Sequence, residues 1–116
     1  AYLEENPDTV AAALSALIKG AQKNIDDPEL GVSLTVDEYA VDSGLDADFA
    51  TEANAAYIAL IQNDFTDSAG ILSVDPEYMA DHVFVSYEAA GETGLPPVDE
   101  FVDTSYMIAA HKLLAG

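Results

Sequence analysis

The 116-residue chain contains no cysteine, which removes a disulfide framework, a thiol nucleophile and every cysteine-liganded zinc site from consideration. Arginine is absent too, and the only cations are Lys19, Lys23 and Lys112. Against these 3 bases stand 22 Asp and Glu, a formal net charge of −19. So little basic charge remains to meet phosphates that nucleic acid and anionic membranes are poor partners, and direct DNA or RNA binding is ruled out. No apolar run approaches the roughly 18 residues that a membrane helix needs. Ala1 opens directly into Tyr2-Leu3-Glu4-Glu5 with no charged leader or signal-like stretch. The expectation is a soluble chain that has been processed or cut from something longer.

What is present argues for a fold. Hydrophobic residues make up 50% of the 12.2 kDa chain, too many for an acidic disordered tail, and the length suits a single domain or fragment, residues 1–116. Carboxylates are scattered over every segment rather than run in blocks. Such a surface stays hydrated at high salt, where a Debye length of about 3 Å at 1 M relieves self-repulsion. The pattern reads as halophilic, with an acidic interaction surface as its rival.

Helical periodicity dominates. Asn6-Pro7-Asp8-Thr9 starts a helix, with Asn as cap, Pro at its first position and Asp at the positive end of its dipole. Val10, Ala13, Leu14, Leu17, Ile18, Ala21 and Ile25 then recur at spacings of three and four as one apolar stripe, closed by Asp26-Asp27-Pro28. Leu17 is accordingly expected in the core, its truncation to Ala costing about 2–5 kcal/mol. A Gly-containing connector covers 29–36, and Thr35-Val36-Asp37-Glu38 has capping-box spacing for a short helix ending near Ser43-Gly44. Asp46-Ala47-Asp48 caps a helix whose inner side is expected to hold Phe49, Ala53, Ala56, Tyr57, Leu60 and Ile61.

The stretch 64–72 reads as a turn around Ser68-Ala69-Gly70. Asp75-Pro76 restarts a long helix with Tyr78, Met79, Val83, Phe84 and Tyr87 inside and Val85 as a further candidate for that side, its caps outweighing the strand-like Val83-Phe84-Val85. Gly91 and Gly94 end it, Leu95-Pro96-Pro97 is extended, and 98–102 makes a helical turn. Thr104 or Ser105 caps a last helix, with Lys112 near its negative end. No alternating strand pattern and no repeat appears. The predicted fold class is all-α, an irregular bundle of about five helices.

Chemistry-bearing motifs are scarce. His82 and His111 lack any ligand at helical metal spacing. Asp81 is adjacent to His82 and points elsewhere on a helix. With 22 carboxylates, acid–base pairs have no specificity. The serines stand in no Gly-x-Ser-x-Gly elbow, and no phosphate loop occurs. Asp64, Asp67 and Asp75 do not match the order of calcium-loop ligands. Tyr57, Tyr78, Tyr87 and Tyr106 are expected to pack in the core with a wet hydroxyl. No catalytic, cofactor-binding or metal-ligating residue is assigned, and no enzyme activity is expected.

Three stretches in order nonetheless resemble the C-terminal part of the extracellular substrate-binding proteins of ABC importers, in the branch that handles nitrate, sulfonates such as taurine, and thiamine-pyrimidine precursors. Glu5-Asn6-Pro7-Asp8-Thr9-Val10, followed by Ala16-Leu17-Ile18-Lys19-Gly20-Ala21 and Asn24 to Pro28, resembles its "E-N-P-E-x-V…A-x-x-K-G…N-P-E" helix. Gly70 to Tyr78 resembles its "G-x-h-d-p-E-r-[WY]" helix start. Gly94-Leu95 with Pro97 to Tyr106 is similar to its closing "G-L…P-V-D-x-h-h-D-x-S-[YF]-h" segment. The similarity covers nearly all of the chain, the 26–48 region least closely.

The resemblance implies a helical portion that braces two α/β lobes clamping a ligand between them. It implies a small-molecule solute and an ABC permease as partners of the whole protein, at the outer face of the cell membrane, lipid-anchored or secreted. It supplies no ligand-contacting residue. Two other readings stand beside it: an independent acidic interaction domain of a halophile, and a fragment of a thiamine-pyrimidine synthase-like enzyme. An isolated fragment is expected to expose an apolar stripe and to hide it as a homodimer. Because the charge is so one-sided, the helical circular-dichroism signal is expected to be lost as salt falls from molar to tens of millimolar. A spectrum that does not change would exclude halophilic adaptation.

Overall fold

The computed structural model describes residues 2–116, and Ala1, where the sequence opens, lies outside them. All regular structure among these residues is helical, with no strand. Two short helices, α1 (Tyr2–Glu5) and α5 (Asp64–Ala69), and a further turn, α8 (Val98–Phe101), punctuate five longer segments. The longer ones are α2 (Pro7–Asp26), then α3 (Pro28–Ser33) continued by a π-helical turn Leu34–Tyr39, and α4 (Ala47–Ile61). After them come α6 (Pro76–Tyr78), running through a second π-helical turn Met79–Phe84 into α7 (Val85–Ala89), and α9 (Ser105–Ala115).

Aspartates start four of the five longer segments. Asp27 accepts from the Leu30 amide at 3.3 Å and starts α3. Asp46 accepts from Phe49 N–H at 2.9 Å, and Asp75 from the Glu77 and Tyr78 amides at 2.9 and 3.2 Å. At α9 Thr104 occupies the cap position without a side-chain bond, and the Asp103 carboxylate takes the Ser105 amide at 2.9 Å instead. A free side-chain acceptor beside orphan amides is the reason. Asn6 heads α2 as expected, but its side-chain amide donates to the Tyr2 carbonyl at 3.0 Å.

Two carboxyls are held below the usual range: Asp27 by hydrogen bonds from the Lys23 ammonium and the Leu30 amide, Asp103 by hydrogen bonds from Ser105. Both are depressed in the folded state, so each contributes above the ordinary carboxylate pKa and loses its contribution as pH falls through the folded value.

Two segments differ from expectation. The 29–36 connector is helix α3, and Thr35 already lies inside helical backbone, where its hydroxyl donates to the Gly31 carbonyl at 2.9 Å rather than capping anything. The 64–72 turn contains α5, started by a reciprocal box. In that box Asn63 Oδ1 accepts from the Phe65 and Thr66 amides, while Thr66 Oγ1 accepts from Asn63 N–H at 2.9 Å. Asn-x-x-Thr satisfies the same orphan groups as the commoner Ser-x-x-Glu. The last residues of that stretch do turn, with Gly70 at φ +93° and Leu72 at φ +65°.

Packing follows a seam narrower than the apolar stripe. On α2, Ala11, Ile18 and Ala21 are buried, with Leu14 and Ile25 half-buried, a run at spacings of three and four that faces α9. Leu17 is 61% exposed, because a helix this apolar offers more hydrophobic positions than one neighbour can cover. On α9, Ala110 is 0% exposed and Met107, His111 and Leu114 are half-buried around it. Small residues at the contact let the backbones approach closely.

Helix α4 packs on α3, with Ala50 buried and Asn54, Ile58 and Ile61 half-buried. That face is turned away from the expected one, leaving Phe49, Ala53, Ala56, Tyr57 and Leu60 outside. Tyr78 and Tyr87 are exposed as well, and of the four tyrosines only Tyr106 is half-buried. The α6–α7 segment forms a satellite cluster with 95–101, where the Phe84 and Phe101 rings meet edge-on at 5.9 Å.

Ile18→Ala is therefore expected to cost about 2–5 kcal/mol and Leu17→Ala no more than about 0.5 kcal/mol. Urea midpoints of the two variants in high salt check the ordering.

Candidate functional site

Chemistry needs convergent polar groups, and among the described residues side-chain hydrogen bonds join distant segments at two such places. The first is the joint of α2, α3 and α4. Asn24 and Asn54 exchange side-chain amide bonds at 2.7 and 3.1 Å, and Asn54 also donates to the Pro28 carbonyl at 3.3 Å. Gly31 sits against this pair, where a Cβ would overlap the Asn24 side-chain oxygen. These three bonds tie α2, α3 and α4 together.

The second is a groove of about 630 Å³ where α2, α5 and α9 meet, lined by Ile18, Lys19, Gln22, Gln62, Thr66, Asp67, Gly70, Ile71, His111 and Leu114. It mixes an ammonium, a carboxylate, two amides and an imidazole. His111 Nε2 lies 3.1 Å from the Ile71 carbonyl. A carbonyl only accepts, so this contact requires the proton on Nε2. The imidazole also lies against Gly70, at a place no side chain could occupy. Gln22 donates to Asp26 at 2.9 Å. The Thr66 hydroxyl serves its own helix start, within 3.0 Å of the Ile61 and Asn63 carbonyls.

In this groove the His111 contact joins α9 to the 70–72 turn.

The other residues singled out from the sequence lie on separate elements. His82 is exposed in the second π-helical turn, its ring 4.4 Å from that of Tyr78. Asp64 and Asp67 stand in the first turn of α5, while Asp75 caps α6. Among the described residues no group of three His, Asp or Glu is arranged to hold a metal. None of the 22 carboxylates is buried, and only Asp27 and Asp75 are half-buried.

Sequence reasoning missed the amide pair, because Asn24 and Asn54 are 30 residues apart and carry no motif. It also missed the contact of His111 with Gly70, for which an isolated glycine before an apolar pair was the only signal.

No family model, no curated protein and no solved structure matches the chain.

At Gly70 a side chain would meet both the left-handed backbone and the imidazole. Gly70→Ala is expected to cost about 1–3 kcal/mol. The same change in a His111→Ala background should cost measurably less, because one of the two obstacles is gone. A double-mutant cycle on urea midpoints checks this.

Proposed function

We propose that this chain is a helical covering portion of an extracellular solute-binding protein that passes a small organic or oxyanion solute to an ABC importer. The carrying observation is the surface the helices leave open. A compact protein of this mass exposes about 6,100 Å², whereas this chain exposes 8180 Å². Its radius of gyration is 17.0 Å, against about 13 Å for a compact domain of this length. No buried side chain is larger than isoleucine. Helices with this much uncovered apolar surface are suited to lie over another body, as those covering an α/β lobe do.

The identity of that body rests on the resemblance. In support of it, helix starts fall where the motifs fall: Pro7 after Asn6, Pro76 after Asp75, and the turn Val98–Phe101 after Pro97. The acidic surface suits high salt outside a cell. In this reading the chain performs no catalysis; it braces the lobes whose closure holds the solute, and the permease meets the assembled receptor.

An antibody raised against this chain provides the test. Immunoblots of source cells are expected to show a membrane-associated species roughly three times the 12.2 kDa chain, the size two α/β lobes require. A native species of 12.2 kDa would instead favour an independent acidic interaction domain.

A further inference from the structure

Where α3 and its π-helical turn meet α4 they form a groove of about 440 Å³, within the roughly 300–1,000 Å³ of small-molecule clefts. Its α3 wall is built from two adjoining rows. Pro28, Val32 and Val36 recur every four residues as an apolar row about 12 Å long. Glu29, Ser33 and Asp37 recur beside it as a polar one. The two valines are half-buried and the polar row is exposed, so the valines form the floor and oxygen atoms follow its edge. From the other side α4 contributes Ala47, Thr51, Asn54 and Ala55.

The hydrogen bonds decide which chemistry fits. The Ser33 hydroxyl donates to the Leu30 carbonyl at 3.2 Å, and the Thr51 hydroxyl to the Ala47 carbonyl at 2.8 Å. Asn54 donates both amide protons, to Asn24 Oδ1 at 3.1 Å and to the Pro28 carbonyl at 3.3 Å. Glu29 and Asp37, as carboxylates, have lone pairs only. Every side-chain donor of the lining is thus engaged inside the fold, while the hydroxyl and carboxylate oxygens keep lone pairs to offer. No lysine or histidine lines the groove to meet an anion. No aromatic ring lines it either, which removes the cage that holds quaternary ammonium groups.

We propose that this groove binds an aliphatic primary ammonium, its hydrocarbon chain along the valine row and its N–H groups on the Glu29 and Asp37 carboxylates and the neighbouring hydroxyl oxygens. An ammonium has three donors and no acceptor, the complement of a lining whose side chains only accept. The chain's charge of −19 draws cations toward it as well. This inference goes beyond the solute-binding reading and stands apart from it, because α3, its π-helical turn and α4 form the groove by themselves.

Titration of the isotope-labelled chain with n-hexylammonium chloride in about 2 M KCl, followed by amide chemical shifts, tests the site. At that salt the Debye length is about 2 Å, so diffuse condensation of cations on the acidic surface is suppressed and contact binding remains. Saturable shifts are expected within 28–37 and 47–55. n-Hexyltrimethylammonium, which has the same tail and charge but no N–H, is expected to bind about tenfold or more weakly, and hexanoate not to bind. The double variant Glu29→Gln, Asp37→Asn should lose about tenfold or more in affinity. Glu52→Gln, which removes an α4 carboxylate outside the groove, should leave affinity unchanged. Shifts that never saturate or that spread over the whole acidic surface would overturn the proposal, as would hexanoate or the trimethylammonium binding as well as the primary amine. So would a double variant with the parent's circular dichroism and the parent's affinity.

Discussion

The pairing of α2 with α9 closes the chain, and the other helices are arranged around it. Bringing together elements about 80 residues apart costs on the order of 4 kcal/mol in loop closure before any contact forms. The contact that offsets it is made of small residues. Ala11 and Ala21 on one helix and Ala110 on the other are buried, and Ile18, 4% exposed, is the largest buried side chain among the described residues. Close approach in this case replaces bulk: alanines bring two backbones into dispersion contact without large cavities to fill. The consequence is a thin core that leaves most large apolar side chains on the outside.

Electrostatics shape what surrounds that core. With 22 carboxylates and 3 lysines, ion pairing cannot be a general device, and among the described residues Lys23 with Asp27 at 3.1 Å is one such pair. Aspartates serve instead as acceptors for orphan amides at helix starts, where the positive end of the dipole favours them. Asp27, Asp46, Asp75 and Asp103 do so. Two polar joints, Asn24 with Asn54 and His111 with the Ile71 carbonyl, then tie distant segments together. Mutual repulsion of the remaining carboxylates is left to the solvent's ions.

Function follows from what is left uncovered. Neither polar joint has a free nucleophile or a metal-binding set, whereas apolar surface lies open on α4 and on α2, α7 and α8. The covering role proposed for the chain answers to this shortage of interior.

The amino-acid sequence by itself determined the helical class, because periodicities of three and four and proline–aspartate starts are local signals carried by neighbouring residues. It placed Pro7, Pro76 and the break at Gly91 and Gly94, each a position where backbone geometry is set within a few bonds. The choice of buried face was not local. Helices α2 and α4 are apolar on more than one side, so Leu17 and Phe49 were as eligible for the core as Ile18 and Ala50. Only the neighbours' positions selected between them. The same holds for Asn24 with Asn54 and His111 with Gly70, whose partners lie 30 and about 40 residues away and become visible only when the helices are packed. Secondary structure here is written in the near neighbours of each residue. Burial and the polar joints belong to the tertiary structure, because an excess of apolar positions leaves the sequence several equivalent ways to fill a small core.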